Sequence, residues 1–129
     1  MKEFDYIILG GGCAGLTLAY ELDISKKLEN KRLAIVEIRQ KYERDKTWSF
    51  WKITDHNFED CVLKSWNNFS INSKLGSHEV INMEYPYQTI DSGLFYKKIL
   101  NQLKQNKNIE FFKNTDQLNL DNSIIFNLS

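Results

Sequence analysis

Apolar positions open the chain as one short block, Phe4, Tyr6, Ile7, Ile8 and Leu9, which stops at Gly10-Gly11-Gly12. A short apolar run containing β-branched Ile7 and Ile8 and bounded by glycine predicts a strand. Beyond the glycines, Ala14, Leu18 and Leu22 recur at i, i+4 and i+8 with Ala19 beside them, the stripe of a helix that packs on a sheet. The polar stretch from Ser25 to Arg32 leads into a second apolar block, Leu33-Ala34-Ile35-Val36, which ends at Glu37. Residues 4–38 thus predict strand, helix, strand, and in one parallel sheet such a unit crosses over right-handed.

From Arg39 to Thr89 the pattern shortens. Alternating pieces such as Cys61-Val62-Leu63, Phe69-Ser70-Ile71 and Glu79-Val80-Ile81 are separated by Asn, Ser and Gly, and predict antiparallel strands inserted into the first unit. Helical spacing returns after Asp91-Ser92, either of which can cap a helix. Leu94, Phe95, Ile99, Leu100 and Leu103 form its apolar face, and Lys97, Lys98, Gln102 and Lys104 its polar face. Ile109-Glu110-Phe111-Phe112 then predicts a third parallel strand. Between Gln117 and Leu128, apolar Leu118, Leu120, Ile124 and Phe126 flank Asp121-Asn122 and predict a hairpin. The expected fold class is α/β: a Rossmann-like parallel sheet with an inserted antiparallel β segment. Three parallel strands leave open edges and an unfinished core, so the expectation is an incomplete fold.

The glycines carry the first chemical signal. Gly10, Gly12 and Gly15 form G-x-G-x-x-G directly after a strand and before a helix. In that pattern the first glycine permits the tight turn and the second lets backbone approach a pyrophosphate. The third allows the helix to pack closely on the sheet. The phosphates sit at the helix start, where N–H groups and the helix dipole favour negative charge. Glu37 lies 22 positions past Gly15, against about 20 expected for the carboxylate that binds a ribose hydroxyl. Cofactor contacts are therefore expected from Gly10, Gly12, Cys13, Ala14, Gly15 and Glu37. Cys13 lies where a thiol pKa can be lowered, but a small residue that fits the turn is the better reading.

Composition narrows the rest. Lys plus Arg equals Asp plus Glu at 17 each, so there is no basic excess of the kind that marks nucleic-acid binding. Cys13 and Cys61 form no disulfide framework, and Met-Lys-Glu-Phe-Asp is not the start of a signal peptide. A cytoplasmic location is expected, with any peripheral membrane contact supplied by parts outside this chain. His56 and His78 have no partner at metal-ligand spacing, so both are expected on the surface and no metal site is expected. Ser49 lacks the G-x-S-x-G setting of a hydrolase nucleophile.

Tyr42-Glu43-Arg44-Asp45-Lys46-Thr47-Trp48-Ser49-Phe50-Trp51 concentrates three large aromatics in four positions. Such a loop either packs as core or offers stacking faces to a ligand. The start Asp5 to Leu16, the segment Asp45-Lys46-Thr47-Trp48-Ser49-Phe50-Trp51, and Tyr85-Pro86-Tyr87-Gln88-Thr89-Ile90-Asp91-Ser92-Gly93-Leu94-Phe95-Tyr96 occur in collinear order. Together they resemble the lycopene cyclase family, in its N-terminal part.

That resemblance implies an FAD-dependent flavoprotein that acts as an isomerase. Its fold would be a Rossmann-like FAD-binding domain, and its substrate lycopene or a related linear carotene. Reduced flavin supports acid–base cyclisation of the carotene ends to β-ionone rings with no net redox change. A carbocation forms on the way, and aromatic faces attract it. Trp48, Phe50, Trp51, Tyr85 and Tyr87 are the substrate-pocket candidates; Tyr85 and Tyr87 either shape that pocket or pack on the sheet. The family's acidic segment Phe-Leu-Glu-Glu-Thr is missing from the sequence, so no catalytic residue is carried over and the chain alone is expected to be inactive. Asp91 reads as a helix cap and Asp45 as a residue that orders its loop. The expected division is one truncated domain over residues 1–129: a nucleotide-binding unit at 1–38, an inserted aromatic loop with antiparallel strands at 39–90, helix and third strand at 91–114, and a hairpin start at 115–129. Two other readings stay open: a related FAD-dependent hydroxylase or prenyl reductase, and a truncated nucleotide-binding module that catalyses nothing.

Overall fold

A computed structural model describes residues 1–129. In chain order the elements are β1 (Lys2–Glu3), β2 (Tyr6–Leu9), α1 (Cys13–Ile24), β3 (Leu33–Val36), β4 (Thr47–Trp51), a 3-10 turn (Glu59–Cys61), β5 (Val62–Trp66) and β6 (Phe69–Ser73). They continue as β7 (Gly76–Val80), β8 (Tyr87–Asp91), α2 (Ser92–Lys104), β9 (Ile109–Phe112), β10 (Leu118–Asn119) and β11 (Ile124–Asn127). The chain divides into two units, one of Met1–Lys41 with Lys97–Ser129 and the other of Tyr42–Tyr96. The class is mixed α/β, with parallel sheets in the first unit and antiparallel sheets in the second.

The first unit is built on a four-stranded sheet in the order β11-β2-β3-β9, every pair parallel. Strand periodicity divides its apolar side chains between two faces. Ile7 and Ala34 enter a cluster with Phe4 and Leu118, flanked by Leu9, Val36 and Phe112, and Phe4 meets Phe112 edge-on at 5.5 Å. Ile8 and Ile35, paired across β2 and β3, point to the other face and are equally buried. Burial on both faces explains why these strands are nearly all apolar rather than alternating.

Helix α1 lies where the pattern predicts, but turned. Its buried residues are Gly15, Leu16, Ala19 and Tyr20, and Ala14 is exposed. The reason is steric: a Cβ on Gly15 would overlap the carbonyl oxygen of Gly10 and press on Ile8. Gly15 must face the sheet, and Ala14, about 100° away around the helix, turns outward. At the far end the helices are tied by polar bonds, with Asp23 accepting from Gln102 (3.1 Å) and Asn106 (2.8 Å). The buried face of α2 is Phe95, Tyr96, Ile99 and Leu103, while Leu94 is 43% exposed. Asp91 caps this helix, its Oδ1 accepting the Leu94 N–H at 3.0 Å.

The C-terminal segment differs from the expected hairpin. β10 pairs with β1 and β11 with β2, both parallel, so the main sheet has four strands rather than three. Alternation fixed which face each residue takes but not its partner. Leu118 is drawn to Phe4 and Ala34 in the core, and Ser123 donates to the Phe4 carbonyl at 2.7 Å.

In the second unit β4, β8 and β5 form an antiparallel sheet in the order β4-β8-β5, and β6 with β7 a separate hairpin. The inserted antiparallel strands thus appear as the pattern predicts. The aromatic segment, however, is not a loop: Thr47–Trp51 is strand β4, in register with Asp91–Tyr87 of β8.

Gly15→Ala should cost about 1–3 kcal/mol by overpacking, read as a lowered urea midpoint. Gly12→Ala, where an added Cβ meets nothing within 4 Å, should stay within about 1 kcal/mol of the parent.

Candidate functional site

In the first unit, the glycine turn leaves β2 through Gly10, whose φ of +103° lies where side chains are rarely tolerated. Leu128 and Ser129 pass directly over it, with the Leu128 N–H donating to the Leu9 carbonyl at 2.8 Å. Gly12 then starts α1 as its N-cap, with no side-chain cap hydrogen bond and no acidic residue in the first turn. The contrast with α2 is direct, because there Asp91 fills the corresponding place. The start of α1 offers helix N–H donors and positive dipole with no carboxylate on its cap residue or in its first turn.

Glu37 follows β3 and turns back to this start. Its Oε2 accepts the Gly11 N–H at 3.0 Å and lies 3.4 Å from Arg39 Nε, while its Oε1 accepts the Arg39 N–H at 2.9 Å. A carboxylate has room for about four donors, so capacity for a further hydroxyl donor remains. Gly10, Gly12, Glu37, Arg39, Lys113 and the end of β11 line a cleft of about 430 Å³. Lys113 Nζ donates to the Arg39 carbonyl, which places a second cation in the lining of the cleft. The structure thus gathers Gly10, Gly12 and Glu37 around one cleft, with Cys13, Ala14 and Gly15 in the first turn of α1. Arg39 and Lys113 were not singled out by sequence; they belong to ordinary charged stretches whose convergence depends on β3 and β9 being neighbours.

Cys13 reaches solvent, yet partial burial of its sulfur pushes the thiol pKa up, opposed by a hydrogen bond with Thr17. That direction is opposite to the one that activates a thiol.

In the second unit, the five aromatic candidates divide. Trp48 and Phe50 point to the packed face of the β4-β8-β5 sheet. There Trp48 meets Phe95 at 4.9 Å and Tyr96 at 5.6 Å, and Phe50 meets His56 at 5.2 Å. Trp51 and Tyr87 lie on the other face, 4.9 Å apart, and Trp66 joins them at 6.2 Å from Tyr87. Tyr85 is 43% exposed ahead of β8. Period-two alternation along Thr47–Trp51 carried this division, but only the strand assignment makes it readable.

His56 is not the surface residue expected. Its ring lies between Phe50 and Phe58, its Nδ1 accepts the Phe58 N–H at 3.1 Å, and its Nε2 sits 3.0 Å from Gln88 Oε1 and 3.2 Å from Glu59 Oε1. With Nδ1 accepting, the proton belongs on Nε2. Buried Gln88 was missed because an amide in a strand pattern reads as an exposed position. Lys52 completes the cluster 2.5 Å from Glu59. The hydrogen bond from Lys52 holds the Glu59 carboxyl below the usual range, and the same bond pushes the Lys52 ammonium up.

The two acids in the matched motifs are structural. Asp91 is fully buried and paired with Arg44 (Nη2–Oδ2 2.5 Å, Nε–Oδ1 3.1 Å), and Asp45 accepts the Tyr96 hydroxyl at 2.9 Å.

Compared with known proteins, residues 5–117 match the family model described as lycopene cyclase protein. No curated protein matches the chain.

The Lys52–Glu59 pair gives a pH test. Glu59 with a depressed pKa contributes stability that is present above its ordinary value of 4.5 and lost as pH falls through the lower folded value. Lys52 contributes below its ordinary 10.5 and loses this as pH rises through its raised value. Denaturation midpoints of the parent and Glu59→Gln should differ most between about pH 5 and 10, and converge at both extremes.

Proposed function

The chain belongs to the lycopene cyclase family, and on that footing we propose that it serves carotenoid cyclisation as an FAD-binding domain acting on linear lycopene. Membership carries the cyclase-like role and the carotene substrate class. The flavin and the manner of ring closure are our inference.

The observation that carries the flavin reading is the cleft at Gly12 and Glu37. In order along the chain, the main-sheet strands lie third, second, first, fourth across the sheet. That is the beginning of the doubly wound nucleotide-binding order, whose ligands sit at the carboxyl ends of the strands where the order reverses. Leu9, Val36 and Leu128, which line the cleft, mark the carboxyl ends of β2, β3 and β11. The chain's own residues fit an FAD diphosphate and ribose. N–H groups of Gly12, Cys13 and Ala14 at the uncapped start of α1 would hold the diphosphate, and Glu37 would accept from a ribose hydroxyl. Gly10 and Gly15 keep the turn narrow enough for both.

Reduced flavin, when bound, would supply electron density that stabilises the positive charge developing during ring closure. The protein's part is to hold the carotene end against aromatic faces, which attract a developing cation. Trp51 and Tyr87 present such faces, and Trp48 and Phe50 support them from the packed side of the same sheet. Asp45 and Asp91 are held in structural bonds and are not assigned as proton donors. We treat residues 1–129 as one FAD-binding domain in which 39–90 is an insertion.

Expression of the full coding sequence in lycopene-producing cells should yield β-carotene; hydroxylated carotene or unchanged lycopene would overturn the cyclase reading. Purified protein should retain a yellow flavin. Glu37→Gln should weaken FAD binding about tenfold or more through loss of charge-assisted hydrogen bonds. Unchanged affinity would remove Glu37 from the site.

A further inference from the structure

One face of the β4-β8-β5 sheet is covered and the other is open. Trp48 and Phe50 project to the covered face, where Phe95 and His56 meet them. On the open face three rings from three strands share one row. Tyr87 in the middle strand is paired in register with Trp51 on one side and Trp66 on the other. The rings touch as neighbours, 4.9 Å and 6.2 Å between centroids. They nevertheless remain open to solvent, with Trp51 at 55% and Trp66 at 39% exposure. Two large indoles flanking Tyr87 and left this exposed call for an occupant.

The geometry of the row restricts what that occupant is. Three strands spaced about 4.8 Å apart make the row about 10 Å long and one ring wide. This suits an extended, flat molecule better than a globular one. The next row on the same face is hydroxyls and one cation: Ser49 and Thr89 bonded at 2.8 Å, with Lys64 in register beside Thr89. No charged group stands in the aromatic row itself, so it offers nothing to an anionic ligand and complements an uncharged π-system.

We propose that Trp66 is a substrate-binding residue, completing with Tyr87 and Trp51 a three-ring platform along which the conjugated chain of a linear carotene lies. The proposal rests on the carotene reading above and adds the place and direction of binding. The polyene runs across the strands, its π-face against the rings. Trp66 contributes as much as Trp51 although it lies outside the aromatic-rich Trp48–Trp51 segment.

Lycopene is achiral and shows no visible circular dichroism of its own, so a band induced in its absorption region reports binding to a chiral surface. The full chain is titrated with lycopene in neutral detergent micelles, and with empty phosphatidylcholine vesicles in parallel. The parent should induce the band. Trp66→Ala should weaken binding about tenfold, and Trp66→Phe should restore most of it. Ile71→Ala, an exposed apolar position on β6 outside the row, should leave it unchanged. Far-UV spectra establish that each variant is folded. No band with the parent, an unchanged band in Trp66→Ala, or an equal loss in Ile71→Ala would overturn the platform. Vesicle binding that depends on Trp66 in the absence of an induced band would reassign the row to a membrane surface. The cyclase reading fails separately: an induced band without β-carotene in cells defeats that reading and leaves the platform standing.

Discussion

The contact on which the first unit depends is the approach of Gly15 to the carbonyl of Gly10. No side chain fits between them, so the first turn of α1 rests on the end of β2 itself. That closeness fixes the rotation of the helix, buries Leu16, Ala19 and Tyr20, and aims the N–H groups of its first turn over the strand ends. Glu37 then ties β3 to the same turn through the Gly11 N–H. Two strands, a helix start and a carboxylate are held together by contacts that involve almost no side-chain volume. A cleft opens there because backbone, rather than bulk, forms its floor.

The two helix starts show how one device serves opposite ends. At α2 a buried aspartate satisfies the helix N–H donors, and its own charge is met by Arg44. At α1 the corresponding place is a glycine. The first arrangement closes a helix end within the protein. The second leaves donors and dipole available to an outside anion.

How much of this was legible in sequence depends on the kind of pattern involved. Strand β2, helix α1, strand β3 and the cap at Asp91 follow from local spacing, and the glycine turn with Glu37 follows from a motif whose every position has a steric or hydrogen-bonding reason. Ala14 was assigned to the wrong side of α1 because apolarity alone does not orient a helix that is apolar on most sides. The tail was read as a hairpin because alternation with an intervening Asp-Asn fits a reversal. The chain instead satisfies the edge of β2 and the small β1 strand. The aromatic segment was legible as important but not as a strand, so the split of Trp48 and Phe50 from Trp51 could not be read. His56 was misplaced for the related reason that its partners, Gln88 and Glu59, come from positions brought near only by sheet pairing.

Sequence by itself determined β2, α1, β3, α2 and β9, the backbone freedom at Gly10 and Gly15, the acid at the end of β3 and the family. All of these are properties of neighbours along the chain or of short motifs that need no partner. Tertiary structure alone decided that β11 lies beside β2, that Arg39 and Lys113 meet at the cleft, and that Trp66 stands in line with Tyr87 and Trp51. These depend on strand order and register, which bring together residues far apart in sequence. Hydrophobic pattern specifies which side of a strand is buried; it carries no information on which strand lies next to it.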